Sequence, residues 1–71
     1  MNKAKLKGAI VAHGDTQTDL AKALGLSLAS LSLRINGHGR GFLQSEMDAI
    51  KRRYDLTADQ MDEIFFGSDL S

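Results

Sequence analysis

At 71 residues, with 42% hydrophobic and 25% charged side chains, the chain has apolar content for one small domain and too little length for two. Nine basic side chains against nine acidic ones leave no net charge, which excludes a surface that is cationic all over. Without cysteine there is no disulfide framework or thiolate metal site; no apolar run approaches the roughly 20 residues that span a bilayer and no signal-peptide pattern opens the chain, so a cytoplasmic protein off the membrane is expected.

The first helix is expected over Lys3 to His13, with Leu6, Ile10 and either Ala9 or Val11 turned inward and His13-Gly14 marking its end. Lys3, Lys5 and Lys7 alternate and so spread around it. Near the helix C-terminus, His13 fits a cap better than a metal ligand. No paired-ligand spacing supports a metal at either His13 or His38.

From Thr16 to Gly37 the chain reads as two short helices joined by a sharp glycine turn. Thr16 with Asp19 forms a capping-box-like pair for the first of them. Gly25 supplies the positive φ that lets the helix stop, Leu26 plugs the gap beneath the turn, and Ser27 caps the next helix. Asn36-Gly37 ends it. Leu20, Leu24, Leu26, Leu31 and Ile35 are the expected shared core, and Ala21 is small where the two helices need close backbone approach. Leu28 is ambiguous, since its spacing to Leu24 and Leu31 fits burial as well as exposure. The loop Gly37-His38-Gly39-Arg40-Gly41 is expected to flex and to present Arg40, but it lacks the preceding strand of a nucleotide-binding fingerprint.

A fourth helix is expected to start between Leu43 and Ser45 and run to Tyr54, with Leu43, Met47, Ile50 and Tyr54 as its core stripe. Lys51, Arg52 and Arg53 in its last turn complement the helix dipole. The fifth helix has the clearest start, because Thr57-Ala58-Asp59-Gln60 is a capping box and Leu56 can staple against Met61. Phe65 and Phe66 at its end cannot both face one narrow core. One is expected to pack inside and the other to meet a second copy of the chain in a dimer. Residues 1–67 thus form a single all-α domain and residues 68–71 a disordered tail.

The run Gln17, Leu20, Ala21, Leu24, Gly25, Leu26, Leu31, Asn36-Gly37 resembles the Cro and repressor class of regulators, also called XRE-like or lambda-repressor-like, and the resemblance extends from Lys3 to Phe66. It implies a compact five-helix DNA-binding domain with the helix-turn-helix at 16–37. It further implies that Gln17 contacts phosphate or supports base reading and that Leu28, Ala29, Ser32 and Leu33 enter the major groove. Asn36 would meet the sugar-phosphate backbone, with Thr18 and Ser27 in the same surface. This chain departs from the family at Leu28 and Ala29, where polar or basic residues are common; apolar side chains there can meet thymine methyls but cannot pair with base edges. Polar contacts are then expected from Ser30, Ser32, Arg34 and Arg40, with Arg34 reaching towards phosphate and His38 either beside a phosphate or merely exposed.

Charge distribution agrees with that surface. Residues 1–42 carry six basic side chains against two acidic ones, a net +4, and residues 43–71 carry the compensating −4. The expected function is a sequence-specific transcriptional regulator, a repressor by family resemblance, that binds double-stranded DNA as a homodimer at a near-palindromic operator. The alternative is a protein-interaction module, an antitoxin-like or antirepressor-like partner whose apolar helix face and Phe65-Phe66 end bind another protein. No nucleophile–base set, metal cluster or phosphate cradle is legible, so neither enzymatic activity nor a cofactor is expected.

Overall fold

The structure is a computed structural model that describes residues 1–38 and 41–67. Five helices and no strand lie among the described residues: α1 Lys3–Ala12, α2 Gln17–Leu24, α3 Leu28–Ile35, α4 Gln44–Arg53 and α5 Ala58–Phe65.

The starts follow from local chemistry. Thr16 Oγ1 accepts from the Asp19 amide and Asp19 Oδ2 accepts from the Thr16 amide, both at 3.1 Å, so Asp closes the box that Glu or Gln usually closes. Thr57 and Gln60 close a second box at 2.8 and 3.1 Å. Ser27 Oγ accepts from the Ser30 amide at 3.1 Å, and Asn2, which had no assigned role, caps α1 through the Lys5 amide. Leu43 has no polar side chain to cap α4, and Glu46 alone supplies the reciprocal bond, accepting from the Leu43 amide at 2.9 Å.

Four of the five helix ends share one device. Past α2, the Leu26 amide donates to the Ala21 carbonyl and the Gly25 amide to that of Lys22, the double closure that needs a left-handed residue at Gly25, φ 71°. The same pair of bonds closes α1 at Gly14 and α3 at Gly37. It also closes α4, where the left-handed residue is Asp55 at φ 49°, the one non-glycine with positive φ among the described residues.

The core comprises Leu6 and Ile10 of α1, Leu20 and Ala21 of α2, Leu31 and Ile35 of α3, and Ile50, Tyr54, Leu56 and Ile64. Helix α2 packs on α3 and α4, and α1 packs on α5. Ala21 is buried as its small size requires, while Leu24 and Leu26 are half-buried at the core edge. Leu56 and Met61 both belong to this packing, as the staple at the start of α5 requires. Ala9, not Val11, is the third inward residue of α1, since Val11 is 74% exposed. The core stripe of α4 is Ile50 and Tyr54, without the expected Leu43 and Met47: Leu43 stands before the first helical turn and is 47% exposed, and Met47 is half-buried outside the core. Leu28 is likewise out of the core.

A polar clamp ties α4 to the turn between α1 and α2. Arg53 donates to both carboxylate oxygens of Asp15 at 2.7 and 3.0 Å, and the Tyr54 hydroxyl donates to the same group at 2.7 Å. The bonds from Arg53 and then Tyr54 hold the Asp15 carboxyl below its usual range, while burial and the neighbouring carboxylate push the Tyr54 phenol up. His13 packs its ring 5.0 Å from that of Tyr54 and bonds through Nδ1 to the Ala9 carbonyl, which is the cap its position predicts. At the opposite end, the Asn2 amide donates to the Ile64 carbonyl and Lys5 pairs with Glu63 at 3.0 Å, joining α1 to α5. Among the described residues no buried side-chain nitrogen or oxygen lacks a partner.

Candidate nucleic-acid interface

Helix α3 buries Leu31 and Ile35, so positions 29, 33 and 36 are turned away from the core, while positions 28 and 32 flank the buried pair at the edge of the same surface. Leu28 is 48% and Leu33 54% exposed; Ala29 and Asn36 are exposed and Ser32 is half-buried. This outward face combines three apolar side chains with a hydroxyl and an amide, and none of the five carries a charge. Asn36 Nδ2 donates to Ser32 Oγ at 3.3 Å, which draws the two polar groups together at the C-terminal end of the face.

The remaining sequence-assigned residues distribute around it. Gln17 and Thr18 open α2, one half-buried and the other exposed. Ser27 and Ser30 are turned to each other by the cap, with an additional hydroxyl bond of 3.0 Å. His38 is exposed past the end of α3, and Gly39 and Arg40, with the phosphate-facing role expected of Arg40, lie outside the described residues.

Arg34 differs from the expectation of a side chain reaching out of the domain. Its Nε donates to Glu46 Oε1 at 2.9 Å and its Nη1 to the Ser30 carbonyl at 3.4 Å. Glu46 is only 8% exposed and its same oxygen also caps α4. An ion pair with one partner this buried is costly to open, because the carboxylate would lose its counter-charge without regaining much water. Arg34 therefore bolts the last turn of α3 to the first turn of α4. The sequence carried a usable signal for half of this, since Glu46 stands three residues after Leu43 at the capping-box position; the link to Arg34 had none.

At the C-terminal end, Phe65 is half-buried and meets Phe42 edge-on with ring centres 5.5 Å apart, whereas Phe66 is 77% exposed. The inside and outside roles expected of the pair thus fall to Phe65 and Phe66 respectively. Met1, Phe42, Met47 and both phenylalanines line a groove that reaches Arg34 and Gly37 at the end of α3, so the apolar end of α5 adjoins the helix-turn-helix. Among the described residues no group of three His, Asp or Glu side chains is placed to hold a metal, and no helix is long and apolar enough to cross a membrane.

Fold and site together define a small all-α domain of five helices, in which α2, a three-residue glycine turn and α3 present one uncharged helix face. The chain belongs to the family described as "Protein of unknown function (DUF739)", which matches residues 2–68. No curated protein and no solved structure matches it.

Proposed function

We propose that this chain is a sequence-specific DNA-binding transcriptional regulator of the Cro and repressor type. The observation that carries the reading is the outward face of α3, fixed by its Ser27 cap, by burial of Leu31 and Ile35, and by the Arg34–Glu46 bolt. A face held this way can enter a major groove with little backbone ordering on binding. Two chains joined through Phe66 would place two copies of α3 in successive grooves about 34 Å apart, reading a near-palindromic operator. Occupancy would block polymerase, and no cofactor is required. The cytoplasm of a bacterial or phage-infected cell is the compartment that fits this role.

A second reading has its own support. The uncharged surface of Leu28, Ala29 and Leu33 also suits docking onto another protein, as in an antitoxin or antirepressor-like partner. Selection of bound fragments from random-sequence DNA at two salt concentrations separates the two. Recovery of a two-fold symmetric motif with half-sites about 10 base pairs apart supports the regulator. Salt-sensitive binding without a motif, or no binding, overturns it and favours the protein partner.

A further inference from the structure

We infer that α3 reads A·T base pairs through thymine methyl groups and reads no guanine. The inference rests on the DNA-binding reading above and specifies which base edges that site takes.

Guanine is read in the major groove chiefly by Arg or Lys donating to its O6 and N7. The sole basic residue of α3 is Arg34, and its guanidinium is spent on Glu46 and the Ser30 carbonyl. Turning Arg34 outward would leave the buried Glu46 carboxylate with the Leu43 amide as its remaining partner, so the bolt opposes recruitment of Arg34 to a base. The helix thus offers the groove no bidentate cation.

What it offers instead is Leu28, Ala29 and Leu33, with Ser32 and Asn36 beside them. The C5-methyl of thymine is the apolar group that the four bases display in the major groove, and adenine on the opposite strand displays the donor–acceptor pair that an asparagine amide matches. With one Asn36 amide hydrogen directed to Ser32 Oγ, the Asn36 carbonyl and the other amide hydrogen stay available for such an edge. Apolar and amide groups therefore correspond to one type of base pair.

The charge of the chain segment around this face favours DNA over an apolar protein surface as its partner. Residues 1–42 hold six basic side chains and two acids; Asp15 is engaged by Arg53 and Tyr54 and Asp19 by the Thr16 amide, and two of the bases, Arg34 and Lys5, are paired with Glu46 and Glu63. The half of the chain that carries α2 and α3 is left net positive, as a surface flanked by phosphates requires.

The test takes the sequence recovered from the random-DNA selection and replaces each thymine of a half-site in turn by deoxyuracil, which removes the C5-methyl alone. Binding is followed by fluorescence anisotropy. Loss of one buried methyl is expected to weaken binding about four-fold at the positions that meet α3. In Leu28→Ala, whose target side chain is half exposed and whose fold is checked by circular dichroism, that discrimination is expected to fall to about one at the position facing residue 28. A selected motif bound equally well with uracil, or one dominated by guanine at the contacted positions, overturns methyl reading and leaves the regulator standing. Full methyl discrimination in both Leu28→Ala and Leu33→Ala overturns the assignment to α3. Absence of any selected motif overturns the DNA reading itself and this inference with it.

Discussion

Replacing Asp55 with glycine is expected to stabilise the domain, although it removes a side chain. Asp55 closes α4 in the left-handed region at φ 49°, the place that Gly14, Gly25 and Gly37 fill after α1, α2 and α3. A left-handed backbone costs an L-residue about 1–2 kcal/mol, at the low end for aspartate. The carboxylate also stands just beyond a helix C-terminus, where a negative charge is disfavoured by about 0.3–1 kcal/mol, offset in part by Lys51 and Arg52 in the last turn. Against these gains, glycine gives the unfolded chain extra freedom worth about 0.5–1 kcal/mol. The balance favours Asp55→Gly by about 0.5–1 kcal/mol. Gly25→Ala provides the opposite sign: a Cβ there meets nothing within 4 Å, so its cost of about 1 kcal/mol is torsional and not steric. Urea unfolding followed by far-UV circular dichroism resolves both, since a domain this small should have a slope near 1 kcal/mol per molar. The midpoint should rise by roughly 0.5–1 M in Asp55→Gly and fall by about 1 M in Gly25→Ala. A lower midpoint in Asp55→Gly would mean the opposite, that the aspartate side chain contributes more than its backbone costs.

Three further outcomes are expected. Ala29→Glu adds a carboxylate to the first turn of α3, where the helix dipole tolerates it, so helicity should be unchanged while operator binding is abolished; undiminished binding removes residue 29 from the groove. The depressed Asp15 carboxyl stabilises the fold at pH values above its ordinary range near 4, and this contribution is lost as pH falls through the lower folded value. Thermal melts between pH 7 and 2 should therefore show a steeper acid decline in the parent than in Asp15→Asn, and parallel curves would count against the clamp. In sedimentation, Phe66→Ser should run as a smaller species than the parent; identical behaviour places the dimer contact elsewhere or denies it.

The legible part of this fold is its punctuation. Thr16, Ser27 and Thr57 start helices, and Gly14, Gly25 and Gly37 end them, because caps and left-handed closures are satisfied within a few residues and need no distant partner. The Asp55 closure is not legible in the sequence, because a left-handed aspartate has no distinctive spacing. The α3 surface was partly legible: burial of Leu31 and Ile35 fixes which side is outward, yet Leu28 fitted either side by periodicity.

Helix order, helix ends and most of the core belong to the sequence itself, since they follow from short-range hydrogen bonding and from apolar spacing along one chain segment. Which cations remain available to a ligand belongs to the tertiary structure. Arg34 meets Glu46 across 12 residues of chain, Arg53 meets Asp15 across 38, and Lys5 meets Glu63 across 58. No local rule relates such pairs, because electrostatic partners are chosen by distance in space, and that distance exists only after the core has closed.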